Sequence, residues 1–470
     1  ETEFPLDDER VHLIVDDARA QLVLAPEGTY DAVVSQPSHP WLAGSSALYT
    51  REFFQEVERA LAPGGVLALW SNLFRMDPPH LKQIVRTLLE VFDHVKAFVV
   101  ESSSFIFIAG DQPLEFDERF ATRVTSEGLR PFLRPFVLDD LVDYASSMEL
   151  DGPNARAWSA GQPLIVDDRP ALEFDLARIP HDQGLSEREL DMALEEVPWI
   201  ARESFAPVPL DMRTDLLIQR IEYVGLRPPA LDRVEASLDG LGLEPLDRHL
   251  VEGVLAEQRG DVEAALAHYD EALADDRAAY RADRLREAER DWRGLLAHAR
   301  VPGRATPSSA TPYLSAALAL RDEVAARQAL ALVPEVNNTT DDPIAAVVRA
   351  WLGESALGES SLGEPGEEEE PETARDDEDG DTCPAVLEAV EAHAFARENE
   401  HVTLLAAECA FAAGDLEAGR AYLADRRRVR RSLAAQIAQE ASEANGPQPG
   451  LGATLWRRVL EADPAHPRAA

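Results

Sequence analysis

Lysine is almost missing from this chain: of 45 basic residues only Lys82 and Lys96 are lysine, and the others are arginine. Such a bias is read either as an Ala-rich, Arg-biased genome or as a salt-adapted cytoplasm, and composition does not separate the two. Positive charge is scarce as a whole, since 87 acids leave a formal charge of −42. Phosphate backbones and anionic membrane surfaces are thereby excluded as general partners, because Lys and Arg contacts supply that affinity. Cysteine is limited to Cys383 and Cys409, which gives neither a disulfide framework nor a zinc-site spacing and makes a reduced cytosol the expectation. No window holds the roughly 18 continuous apolar residues of a spanning helix, and no signal-peptide pattern opens the chain, so it is expected to be soluble. It begins with Glu rather than Met, as a processed or truncated piece would.

What is present divides into two halves. Up to residue 110, short apolar runs alternate with helical periodicity. Val11–Val15, Ala32–Ser35, Val66–Trp70, Ala97–Val100 and Phe105–Ala109 read as strands, whereas Thr50–Leu61 and Pro79–Phe92 read as helices. Strands without polar interruption, separated by helices, predict a mostly parallel α/β sheet. Pro63-Gly64-Gly65 stops the first helix and turns the chain into the next strand.

From about residue 186 the pattern is almost purely helical. "AEQRGDVEAALAHYDEAL" (Ala256–Leu273) and "AECAFAAGDLEAGRAYL" (Ala407–Leu423) share a helix, a Gly-Asp turn and a second helix. A further helix, Leu455–Ala469, closes the chain. These phrases resemble tetratricopeptide repeats, although no steady period of about 34 residues joins them. Gly353–Thr382 is dense in acids and poor in large apolar residues, the composition of a disordered linker or an acidic docking tail. The expected division is an α/β domain over 1–180, helical regions over 186–352 and 383–470, and the acidic linker over 353–382. Arg426–Arg431 reads as a helix surface or as a docking site for that acidic block. Asn337-Asn338-Thr339 fits a glycosylation acceptor.

The loop Gln36–Ser46 follows a strand, the place where open α/β sheets bind ligands. Here "VHLIVDDARAQL … YDAVVSQPSHPWLAGSSALYTREFFQEVERALAPGGVLALW" resembles the second half of a spermidine synthase (polyamine aminopropyltransferase) domain, most specifically through "LYTREFF … LAPGGV". "VDDRPALEF" resembles the closing segment of a multidomain branch in which a membrane-spanning region precedes the synthase domain and repeats can follow. The resemblance implies a methyltransferase-type Rossmann fold, partial here, followed by a helical tetratricopeptide-like region. It also implies S-adenosylmethionine or its decarboxylated form as cofactor, no metal, a small amine substrate, and a cytoplasmic chain whose parent is anchored in the inner membrane. A protein partner would bind the repeats.

By the same resemblance Asp17 and Ala18, with Ser35 beside them, take the adenine side of the cofactor. The family's Asp-x-x-Asp-Pro loop becomes Gln36, His39 and Pro40 here. A carboxylate binds and deprotonates an ammonium, which an uncharged amide does poorly. His39 either replaces the base, its ordinary pKa of about 6.5 suiting proton transfer, or is a hydrogen-bonded structural group. Ser38 offers a hydroxyl, Trp41 walls a pocket or packs under the loop, and Tyr49 faces substrate or fills the core. Asp167, Asp168 and Arg169 reach the same cleft or form a solvated turn. No Gly-x-Gly-x-x-Gly occurs in residues 1–60, so the glycine-rich half of a nucleoside site is not in this sequence. An active transferase and an inactive transferase-like scaffold for partner proteins are both consistent with these residues.

Overall fold

The computed structural model describes residues 10–37, 39–42, 44–100, 104–133, 138–169, 171–179, 185–225, 227–300, 310–333, 342–353 and 382–444. It divides into two compact units, Glu1–Gln258 and Arg259–Ala470.

The first unit is built on five strands: β1 (Tyr30–Ser35), β2 (Leu61–Asn72), β3 (His94–Val100), β4 (Ser104–Gly110) and β5 (Met148–Leu150), in the order β1-β2-β4-β3-β5. Its first helices are α1 (Ala18–Leu24), α2 (Arg51–Ala60) and α3 (Pro78–Val91). Thr50 and Asp77 explain where α2 and α3 begin, because their side chains accept from the Phe53 and His80 amides. Each helix then buries an apolar stripe, Phe53, Phe54 and Val57 on α2 and Leu81, Ile84, Val85 and Leu88 on α3. At about 1.5–3 kcal/mol per large side chain, these stripes weld both helices to the sheet.

Two expectations fail here. The sheet is mixed: only β1 and β2 are parallel neighbours, while β4 lies antiparallel between β2 and β3, and β5 is antiparallel to β3. Three residues separate β3 from β4, too few for the crossover that parallel pairing needs. Val11–Val15 forms no strand. Leu13, Ile14 and Val15 are 70%, 66% and 91% exposed. An apolar run becomes a strand only where a neighbour completes its ladder, and among the described residues β1 pairs on one side alone, with β2. Where β1 meets β2, a Cβ at Gly65 would stand 2.9 Å from the Ala62 carbonyl and 3.1 Å from those of Tyr30 and Asp31. The register shifts between Tyr30 and Ala32 at this point, so the Pro-Gly-Gly turn also lets two backbones meet.

The unit continues past residue 180. Glu187–Leu194, Arg213–Val224 and Pro228–Leu241 are helices within it, and Arg220 and Arg233 converge on the buried Glu149 of β5.

The second unit is helical throughout its described residues. Gly260, Arg290, Arg321 and Gly414 all have positive φ (73°, 58°, 56° and 79°), and each is followed by an Asp. Asp261, Asp291, Asp322 and Asp415 then accept from the amide three residues on. The Gly-Asp turn read twice in the sequence is therefore one geometry used four times, twice with Arg in the left-handed position. Cys383 and Cys409 form a disulfide, joining the helices Cys383–Ala392 and Glu400–Ala412. Two cysteines make no disulfide framework in the sequence, yet these residues, 26 apart, meet because helix packing brings them together, which runs against the expectation of a reduced cytosol. Gly353 and Thr382, the two ends of the acidic stretch, are neighbours, a Cβ on Gly353 lying 3.8 Å from Thr382 Cγ2. The residues between them, the helix over 455–469 and Asn337-Asn338-Thr339 lie outside the described residues. No helix among the described residues is long and apolar enough to cross a membrane.

Candidate functional site

The loop after β1 starts at Gln36, which is exposed, while Ser35 at the strand end and Trp41 are half-buried and Pro40 is buried. His39 lies flat on Trp41, with ring centroids 4.5 Å apart and planes 4° from parallel. Phe74 meets the indole at an angle, and the Arg75 guanidinium stands 5.7 Å from its centroid. The imidazole is held in one plane, and its Nδ1 is buried without a hydrogen-bond partner. A buried nitrogen without a partner is costly in a finished interior and ordinary in a site that awaits a ligand.

Arg75 carries φ 51°, and its Nε donates to the Ile179 carbonyl at 3.0 Å. Beyond it, Asp77 caps α3 and takes His80 Nδ1 at 2.6 Å, while His80 Nε2 stands 3.6 Å from Asp175. Burial works against the charge on His80, but the two carboxylates outweigh it and raise its pKa. A cavity of about 870 Å³ opens here, with Met76, Ile179 and Met192 on its walls and Asp77, Lys82 and Glu196 at its rim.

A strap formed by residues 164–169 and 171–179 reaches the loop and the start of α2. Glu173 accepts from the Gly44 amide at 3.3 Å and from Ser46 Oγ at 3.1 Å. Asp167 accepts from Thr50 Oγ1 at 2.7 Å and pairs with Arg19 at 2.8 Å, and Arg19 also holds Glu56 at 2.8 Å. The Arg19 hydrogen bond is the main reason the Asp167 pKa is lowered. The Asp167 turn is thus an anchor; Asp168 and Arg169 are exposed beside it.

The structure brings His39, Pro40 and Trp41 together and leaves other candidates apart from them. Asp17 is exposed and caps α1, its Oδ1 accepting from Ala20 at 2.9 Å; Ala18 begins that helix, also exposed. Tyr49 is fully buried, donates its hydroxyl to the Trp70 carbonyl at 3.1 Å and has its pKa raised by burial. It is therefore a core residue here, because a hydroxyl engaged inside the sheet presents nothing to a substrate. Ser38 lies outside the described residues. Sequence reasoning missed Arg19, Arg75, His80 and Glu173. Only Asp77-Pro-Pro-His80 carried a signal, as a helix cap with a histidine on its first turn.

A strand with a histidine-bearing loop at its carboxyl end, a crossover helix and a parallel second strand form a βαβ unit of Rossmann-like type. Residues 1–105 match the model of the spermine/spermidine synthase domain. Spermidine synthase 2 of Arabidopsis thaliana is 37% identical over 86 residues, 18% of this chain and 25% of that protein. Spermidine synthase 1 of Pisum sativum is 39% identical over 85 residues, with the same coverages of 18% and 25%. The chain spans about a quarter of the length of the curated relatives it matches. A probable spermidine synthase from Corynebacterium glutamicum shares 22% identity over 33% of this chain and 53% of its own, with a TM-score of 0.23, too low to bear on the fold.

Proposed function

We propose that this chain is part of a spermidine synthase-like transferase, which moves an aminopropyl or methyl group from an S-adenosylmethionine-derived donor to an amine-type acceptor. The observation that carries this reading is the synthase-domain match over residues 1–105, with the altered substrate loop at the carboxyl end of β1. The donor would supply an electrophilic carbon on sulfur. Of the residues present, Asp17 and Ala18 fit one edge of its adenine: both are exposed, and capping engages only one Asp17 oxygen.

The remaining work belongs to the loop. His39 Nδ1 accepts the proton of the attacking amine, while the Trp41 stack fixes the ring plane. The Gln36 amide orients the acceptor. Neither Gln36 nor His39 offers the carboxylates that a polycation prefers, so an acceptor of low charge suits the loop. In this reading the helical unit is a tetratricopeptide-like module for a protein partner.

The test offers S-adenosylmethionine or its decarboxylated form, with a panel of mono- and diamines, to the full parent protein. Product nucleoside release that falls at least tenfold in His39→Ala, with nucleoside affinity unchanged, is the expected result. No release with any amine, together with no heat of nucleoside binding, overturns the enzyme. The replaced acids would then favour a scaffold whose helical unit binds proteins.

A further inference from the structure

The loop Gln36–Ser46 contains no Asp, Glu, Lys or Arg, and His39 is its single titratable side chain. A fixed cation reaches it from the next loop. β1 and β2 run parallel, so the segments that follow Ser35 and Asn72 leave the sheet at the same edge. Arg75 stands on the second of these segments, with its guanidinium 5.7 Å from the Trp41 centroid. His39 stacks on that same indole at 4.5 Å. One side chain therefore positions both the imidazole and the guanidinium.

Arg75 is held firmly and used in part. It takes the third position of the turn Leu73–Met76, which the Met76 amide closes on the Leu73 carbonyl at 3.2 Å, and its φ is 51°. Glycine adopts such a backbone freely, whereas a long side chain is strained there. Nε and Nη2 both donate to the Ile179 carbonyl, at 3.0 and 2.6 Å, and Nη2 also donates to the Ala177 carbonyl at 3.3 Å. These bonds fix the plane of the fork and leave Nη1 without a hydrogen bond among the described residues. No described carboxylate pairs with Arg75 either. Asp167 is engaged by Arg19, Glu173 by Gly44 and Ser46, and Asp175 by His80 and Arg178. Asp77, two residues further on, caps α3 and holds His80. The guanidinium is half-buried and unmatched, in a chain with 87 acids against 45 basic residues. Its planar fork suits a carboxylate.

We propose that Arg75 binds the carboxylate of an amino-acid group on the substrate, through Nη1, beside the His39–Trp41 stack. This rests on the transferase reading and narrows it. A carboxylate at this place has two sources. One is the acceptor, an amino acid whose amine faces His39 and whose acid group meets Arg75; such a molecule has the low net charge that the loop favours. The other is the donor, since S-adenosylmethionine keeps the carboxylate that its decarboxylated form lacks. In both cases Arg75 selects the carboxylated molecule over the same molecule without that group. A plain polyamine gains nothing here, because its ammonium groups meet a guanidinium and no acid of the loop.

The experiment measures binding to the full parent protein by calorimetry with two matched pairs of probes. Ornithine is set against 1,4-diaminobutane, and S-adenosylmethionine against its decarboxylated form, so that each pair differs by one carboxylate. At least one pair should show a preference of about tenfold or more for the carboxylated member. Arg75→Gly keeps the left-handed turn without strain and should abolish that preference, whereas Arg75→Lys keeps the charge and should retain part of it. Loss of the tie to Ile179 alone would weaken both members of a pair equally, so the ratio separates carboxylate binding from a structural role. A preference in the ornithine pair places the carboxylate on the acceptor, and one in the nucleoside pair places it on the donor. No preference in either pair, or one that survives Arg75→Gly, overturns the proposal and leaves the transferase reading standing. A parent protein that binds none of the four probes removes both.

Discussion

Arg233 grips one residue twice: its Nη1 lies 3.0 Å from the Glu149 carboxylate, and its Nη2 donates to the Glu149 backbone carbonyl at 2.6 Å. Arg220 reaches the same carboxylate at 2.7 Å, and all three side chains are at most 1% exposed. Burial alone would raise the Glu149 pKa, but the arginines outweigh it and the pKa is lowered. Removing one member of such a cluster leaves buried charge uncompensated, at about 3–5 kcal/mol. Glu149→Ala is expected to lower the stability of the first unit by that amount, read from urea midpoints. A loss under about 1 kcal/mol would show that the arginines escape to solvent. Because the folded pKa is below the unfolded one, this stabilisation is complete above the ordinary carboxylate range and disappears as pH falls through the folded value.

Asp191 behaves in the opposite sense. It is 1% exposed, and burial raises its pKa to about 6, with the Glu149 charge adding to the effect and Arg227 at 3.3 Å opposing it. A carboxyl whose folded pKa exceeds its unfolded value of about 3.9 holds its proton more firmly when folded. Its contribution therefore weakens as pH rises from about 4 to about 6 and stays low above that. Asp191→Asn is expected to raise the melting temperature at pH 8, with a gain of at most about 3 kcal/mol. At pH 4 the gain should vanish. A gain of equal size at both pH values would assign the effect to packing.

The elements legible in the sequence are those whose cause is local. Thr50 and Asp77 announce α2 and α3 because a cap and an apolar stripe are contained in the same few residues. Val11–Val15 fails for the complementary reason, since a strand depends on a partner elsewhere. At the candidate site, the His39 loop was readable by its position after β1, but its stacking on Trp41 and the cover from Arg75 were not. Arg75 comes from the loop after β2 and adopts a left-handed backbone that no sequence pattern announces. The strap is similar: "VDDRPALEF" was legible as a closing segment, whereas the Asp167 pairing with Arg19, 148 positions away, is a product of the fold.

The Cys383–Cys409 disulfide gives the helical unit a redox-dependent stability. It closes a loop of 26 residues, which in the chain-entropy account stabilises by about 3–4 kcal/mol. Cys383→Ser is expected to lower the melting temperature of the second unit and to make it insensitive to dithiothreitol, whereas the parent chain loses the same stability on reduction. If the parent melts at one temperature with and without reductant, the bond contributes nothing to the fold. Cys383 begins its helix next to Thr382, so reduction should also loosen the base of the acidic stretch. Raised protease sensitivity on reduction would register this.

Arg19 is the remaining hinge of the first unit, because it ties α1 to α2 through Glu56 and to the strap through Asp167. Two amides report on that tie: Arg51 donates to the Ile165 carbonyl at 2.9 Å, and Asp167 donates to Glu52 at 3.0 Å. Arg19→Ala removes a guanidinium that serves two carboxylates at once, and charged hydrogen bonds of this kind are worth about 1.5–3 kcal/mol when partly shielded. Exchange of both amides with deuterium should accelerate at least tenfold, while the α3 amides keep their protection. Arg19→Lys should restore little, since one ammonium cannot present the fork that spans Glu56 and Asp167. Full restoration by lysine would reduce the tie to simple charge neutralisation. The pH response separates the two as well: the Asp167 pKa is lowered, so protection of these amides should be complete at neutral pH and fall as pH drops through the folded value.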